Sequence, residues 1–247
     1  MAVVRPRHLE TSVVVPEGAG RFVPESRFGV WFIGTGIWAN HVLKRALDDL
    51  ERLIQNRRVS YPTIVDFGCG FGRALKMLND RFHPRQLVGV DFDSEMLARS
   101  RIESQRHGLA IGLGKVSNAL LPFADQSVDM IFCHQTFHHV VDQHEVLDEF
   151  HRVLKRGGLL LFAESTRKYI YSWIIRLLFR HPLDKQRTAS EYVAMISEAG
   201  FTVCQDSISY PYLWWSRSDF ALMENLFGIV PSVDREETLI NLVAIRD

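Results

Sequence analysis

Cysteine is scarce and scattered: the 247 residues hold three, Cys69, Cys133 and Cys204, with no CxxC pair. That argues against a disulfide framework and a structural zinc knuckle, and predicts a reducing, cytoplasmic setting. Net charge is also missing, because 29 basic residues balance 29 acidic ones. Without a global field to attract a polyanion, nucleic acid is not an expected partner. Long apolar runs are absent; the nearest, Tyr169 to Phe179, is short and interrupted by Arg176, so no membrane span is expected. Residues 1–10 carry Arg5, Pro6 and Arg7 but no apolar core, so no secretory leader is expected there. No internal repeat or low-complexity tract interrupts the chain.

What is present is a composition 47% hydrophobic, enough for one packed domain and a modest insertion. Residues 1–28 hold Pro6, Pro16 and Pro24 without periodicity and read as an irregular arm. From Gly36, apolar residues recur at three- and four-residue steps through Ile54, which predicts a helix ending before Tyr61-Pro62. Short apolar runs and helical segments then alternate. Strands are expected at 63–67, 86–90, 111–116, 128–133, 158–163, 201–208 and 238–245. Helices are expected at 73–80, 94–107 with a Ser94 cap, 144–154 and 190–199. The alternation predicts an α/β, Rossmann-like, doubly wound fold: a seven-stranded, mostly parallel sheet with helices on both faces and an antiparallel last strand. The expected division is an arm and helix over 1–60 and one domain over 61–247, with insertions near 166–188 and 209–235.

Ligands in such sheets bind beyond the carboxyl ends of the strands. The first of these loops reads Asp66-Phe67-Gly68-Cys69-Gly70-Phe71-Gly72. Alternating glycines remove β-carbons where a strand turns sharply and a ligand approaches the backbone. A dinucleotide fingerprint would need a third glycine at position 73, which is Arg73. The acidic Asp66 suits a cationic amino group better than a pyrophosphate. At the end of the second strand, Asp91 is placed to accept ribose hydroxyls, and Asp93 belongs to the turn into the next helix.

Four stretches extend the pattern: VDFGCGFGRAL, LVGVDFDSEML, LLPFADQSVDMIFC and FHRVLKRGGLLLFAES, with TASEYVAMISEAGF after them. Together they resemble the class I S-adenosylmethionine-dependent methyltransferases, in the branch similar to ubiquinone/menaquinone-biosynthesis methyltransferases. The resemblance implies S-adenosyl-L-methionine as cofactor and methyl transfer as activity. It implies that Asp66 and the Gly68, Cys69, Gly70 and Gly72 backbone hold the methionine part, Asp91 the ribose, and Phe92 the adenine face. Ser117, followed by Asn118, stands where the family usually has an adenine-binding Asp, and either offers a neutral hydrogen bond. His134 and Gln135 fall in the stretch that passes beneath the sulfonium in similar proteins.

His138 and His139 follow them, and either imidazole is a candidate general base, since it titrates near neutrality. Alignment alone is the competing account, because a sulfonium leaving group departs neutral. Five of the ten histidines lie between His134 and His151. A metal set of His134, His138 and His144 lacks HExxH or carboxylate bracketing, so no metal is assigned. Within 167–181, Lys168, Ser172, Arg176 and Arg180 fall four apart beside Tyr169, Ile170, Trp173, Ile174, Leu177 and Leu178. As one helix this would be basic and amphipathic, suited to peripheral membrane contact or to covering a greasy pocket. With the aromatic cluster at 210–215, it predicts a small hydrophobic or aromatic acceptor: a quinone precursor, lipid or secondary metabolite. The alternatives are a cofactor-binding protein of this fold with other chemistry, or a non-catalytic membrane-surface or interaction module. The residues do not decide the oligomeric state.

Overall fold

The computed structural model describes residues 22–116, 119–211 and 238–247. Helix α1 (Arg27–Ile33) opens on Ser26, whose hydroxyl accepts the Gly29 N–H at 3.0 Å. It lies in a stretch for which no helix was predicted, because RFGVWFI is apolar nearly all round and shows no polar face to set a period. Helix α2 (Gly36–Trp38) passes through a π-helical turn, Ala39–Leu43, into α3 (Lys44–Leu53). Leu43, Leu47 and Leu50 face inward there, while Lys44 and Asp48 pair on the outer face at 2.7 Å.

The alternation follows as expected: β1 (Thr63–Phe67), α4 (Arg73–Phe82), β2 (Gln86–Asp91), α5 (Ser94–Arg106), β3 (Gly112–Lys115), β4 (Val128–His134), α6 (Gln143–Val153) and β5 (Leu154–Ser165). Two short helices come next, α7 (Arg167–Ile170) and α8 (Trp173–Leu178), then α9 (Ala189–Glu198), β6 (Phe201–Ser209) and β7 (Leu239–Arg246). The sheet order is β3-β2-β1-β4-β5-β7-β6. Strands β1 to β5 are mutually parallel, and β7 runs antiparallel between β5 and β6.

Successive strand residues feed two separate cores, as the period of two requires. Val65, Ile131 and Leu160 meet Phe150 of α6 and Tyr192 of α9 on one face. Ile64, Met130 and Leu161 meet Leu47 of α3 and Leu78 of α4 on the other. Each fully buried side chain of this kind contributes roughly 1.5–3 kcal/mol of transfer free energy. Among the described residues no helix is long and apolar enough to cross a membrane.

Two local expectations change. Helix α5 is capped by Asp93, which accepts the Glu95 N–H at 2.7 Å, and not by Ser94, which is already the first helical residue. The 167–181 segment is not one helix: Ser172 is extended between α7 and α8, which breaks the stripe of Lys168, Ser172, Arg176 and Arg180. Arg167 is drawn back instead onto both carboxylate oxygens of Glu191, at 2.8 and 2.7 Å.

Candidate active site

The glycine loop between β1 and α4 is stitched to the neighbouring strand by Gly68 and Cys69 N–H groups, both donating to the Val90 carbonyl at 2.8 and 3.0 Å. At Gly68 the backbone is left-handed, with φ 77°, and a β-carbon would lie 2.1 Å from Thr136 Oγ1. Gly72, with φ 75°, would drive one to 2.4 Å from Ser100 Oγ. Both positions therefore demand glycine for conformation and for space. Cys69 Sγ is buried beside Ser100 Oγ at 3.7 Å, and burial pushes its thiol up, well away from thiolate chemistry.

Asp66 and Asp91 lie beside this loop and line one cleft of about 960 Å³, with Gly68, Cys69, Gly70, His134, Gln135 and His139. Asp91 Oδ2 accepts the Gly70 N–H at 2.8 Å, and Oδ1 accepts the Asp93 N–H at 2.9 Å. Each oxygen keeps a further lone pair for a ligand. Burial raises the Asp91 carboxyl, against the lowering effect of the Asp93 and Gly70 amides. Asp66 is in a different state. Its Oδ2 is buried with no hydrogen-bond partner among the described residues, and burial with the Asp91 charge pushes the carboxyl up to about 8. An orphaned buried carboxylate oxygen costs about 1–3 kcal/mol or more, so this arrangement calls for a cationic or donor partner. The ammonium of S-adenosylmethionine fits that demand, as two open lone pairs on Asp91 fit a ribose.

Phe92 stands at the rim. Its ring stacks on Phe22, centroids 4.7 Å apart and 6° from parallel, and Phe22, not Phe92, lines the cleft. Phe22 is placed by an antiparallel bridge to Val140 and by the Val23 N–H donating to the His139 carbonyl at 3.1 Å. Ser117 and Asn118 lie outside the described residues, as does most of the 210–215 aromatic cluster.

The turn after β4 is built on Glu164 at the end of β5. This carboxylate is fully buried; Oε1 accepts the N–H groups of Thr136 and Phe137 at 2.8 and 2.7 Å, and Oε2 meets His138 Nδ1 at 2.5 Å. Burial raises it to about 7 despite those amides. Glu164 thus positions the turn and is neither a surface residue nor a cleft wall. His138 leads into a second cavity of about 600 Å³ that shares Glu25, Ile33, Trp38, Gln135 and His139 with the first. The rest of its wall is largely apolar, with Phe32, Val42, Ile170, Ile175 and Phe179. His134 packs between Trp38 and Phe132, and burial holds it neutral, down to about 3.

Two participants, Glu25 and His181, carry no local sequence signal. The His181 ring lies tilted against those of His138 and His139, with centroids 5.1 and 4.9 Å apart. Glu25 Oε2 lies 3.5 Å from His139 Nε2. The histidines brought together are therefore 138, 139 and 181, and the considered grouping of His134, His138 and His144 is not formed.

Residues 65–162 match the family model described as a methyltransferase domain. A malonyl-acyl-carrier-protein O-methyltransferase of Coxiella burnetii is 35% identical over 49% of this chain and 40% of its own length. A demethylmenaquinone methyltransferase of Thermus thermophilus is 30% identical over 49% of this chain and 56% of its own. The chain thus spans about half the length of these curated relatives. Among solved structures, an S-adenosylmethionine-dependent methyltransferase from Mesorhizobium loti superposes with a TM-score of 0.59 at 19% identity, covering 81% of this chain and 96% of that one.

Proposed function

We propose that this chain, whose residues 65–162 match the methyltransferase-domain model, is a class I S-adenosylmethionine-dependent methyltransferase that transfers a methyl group to a small hydrophobic or aromatic acceptor. The observation that carries the reading is the pair of adjoining cavities. One is walled by the glycine loop, Asp66 and Asp91, the other mainly by apolar side chains and histidines, and the two share the wall of Trp38, Gln135 and His139.

In this reading Asp66 faces the cofactor's ammonium, Asp91 its ribose hydroxyls and Phe92 its adenine. When bound, the cofactor supplies an electrophilic methyl on a sulfonium. The chain's part is to hold the acceptor in line and keep water out, which is where most of the acceleration arises. His138 is the candidate proton acceptor, with Nδ1 engaged by Glu164 and Nε2 left for the cavity. Burial and the neighbouring His139 hold it proton-free, well below the usual imidazole range. That makes it ready to take a proton but a weak base, so alignment carries more of the rate.

Calorimetric titration with S-adenosylmethionine and S-adenosylhomocysteine tests the cofactor site. Micromolar binding is expected, weakened at least tenfold by Asp91→Ala. Transfer of labelled methyl to a panel of quinols, fatty acyl thioesters and phenols then tests the acceptor class. A folded wild-type chain that binds neither ligand would overturn the reading.

A further inference from the structure

Three imidazoles and a carboxylate converge where the two cavities meet. One ring nitrogen from each of His138, His139 and His181 lies within 4.8 Å of the others. Their orientation is set from behind. His138 Nδ1 is engaged by Glu164 at 2.5 Å, and His139 Nδ1 by the Val23 carbonyl at 2.9 Å. Both rings thus leave Nε2 for the centre of the cluster. Metal-bound imidazoles are supported in this way, with the second nitrogen donating to a carboxylate or a backbone carbonyl.

The fourth group is prepared similarly. Glu25 Oε1 accepts the N–H groups of Ser26 and Arg180, at 2.5 and 3.0 Å, which leaves Oε2 facing His139 Nε2 at 3.5 Å. Tetrahedral zinc with bonds near 2.0–2.1 Å holds its donors about 3.3 Å apart. The Glu25–His139 separation already matches, and the imidazoles need to close by up to roughly 1.5 Å. Among the described residues, no lysine or arginine side chain lines the second cavity to occupy the place of a cation.

We propose that Glu25, His138, His139 and His181 form a site for a divalent first-row transition ion of the zinc class. Three imidazoles with one carboxylate suit zinc, and also iron, cobalt or nickel, over magnesium or calcium, which prefer oxygen shells. With all four protein donors engaged, the site is closed and structural in kind. It joins three separate segments: the 22–26 strap, the turn after β4, and the stretch between α8 and α9. In the metal-loaded chain His138 and His139 no longer accept protons and methyl transfer rests on alignment, so the proton-acceptor role of His138 belongs to the metal-free chain. The proposal is independent of the methyltransferase reading, because the ion is measured without cofactor or acceptor.

The test is anaerobic titration of the chelator-treated 247-residue chain with Co²⁺, followed by displacement with Zn²⁺. The expected result is one equivalent bound, with visible absorption of the intensity that four-coordinate cobalt gives, bleached by zinc. His181→Ala and Glu25→Gln are each expected to weaken uptake at least tenfold while circular dichroism stays unchanged. His181 is only partly buried outside any helix or strand, so its replacement leaves both cores intact. A folded wild-type chain that takes up neither ion at micromolar concentration overturns the proposal, and so does a His181→Ala variant that binds cobalt as the wild type does.

Discussion

At Asp66 a carboxyl at the end of a buried strand holds its proton far above its ordinary 3.8, up to about 8, because burial and the Asp91 charge both oppose ionisation. The folded chain then binds that proton more tightly than the unfolded chain. Its contribution to stability is full below pH 4 and declines as pH rises towards 8, at a slope of about 1.4 kcal/mol per pH unit. Asp66→Asn, which cannot ionise, is expected to flatten this decline in denaturant titrations at several pH values. The same residue links protonation to ligand binding. An arriving ammonium stabilises the carboxylate, so cofactor binding at pH 7 is expected to release close to one proton. Calorimetry in buffers of different ionisation heat reads that number directly, and an unchanged heat across buffers would refute the linkage.

The short helix-capping contacts are decided one residue at a time, and α5 gives a clean case. Asp93→Ala removes the acceptor for the Glu95 N–H and is expected to cost about 1 kcal/mol, whereas Ser94→Ala is expected to be near neutral. Thermal unfolding of the two variants side by side distinguishes the caps. Neighbouring Asp and Ser both satisfy cap preferences, which is why the sequence pointed one residue too far. The inner strands were legible as short apolar runs, because a parallel strand covered on both faces is buried nearly end to end, and most helices by their three- and four-residue spacing. Helix α1 was not, since Phe28, Val30, Trp31 and Phe32 offer apolar groups in every direction. The 167–181 stretch read as one helix because its four-residue spacing is real, yet extended Ser172 divides it. Within the cleft, Asp66, the glycines and Asp91 were readable because strand ends are local signals. Glu25 and His181 join His138 across 113 and 43 residues of chain, a proximity that no spacing encodes.

For the molecule as a whole, the strap at residues 22–26 binds to both halves of the site. It bridges to Val140, and the Ser26 hydroxyl donates to the Leu178 carbonyl at 2.6 Å. Its first described residue, Phe22, covers the ring proposed to receive adenine. The strap is therefore an intramolecular competitor, present at a fixed effective concentration however dilute the protein. Apparent cofactor affinity is the intrinsic affinity reduced by the fraction of time the strap is lifted. An aromatic stack worth about 0.5–1.5 kcal/mol corresponds to a roughly two- to twelvefold weakening. Phe22→Ala is expected to tighten S-adenosylhomocysteine by that factor in equilibrium titration, and a loss of affinity would make Phe22 a second wall for the adenine instead of its rival. Competition by a tethered group also sets exchange kinetics. A departing cofactor leaves a ring that its own chain is waiting to reoccupy, so rebinding is slowed for the spent and the fresh cofactor alike.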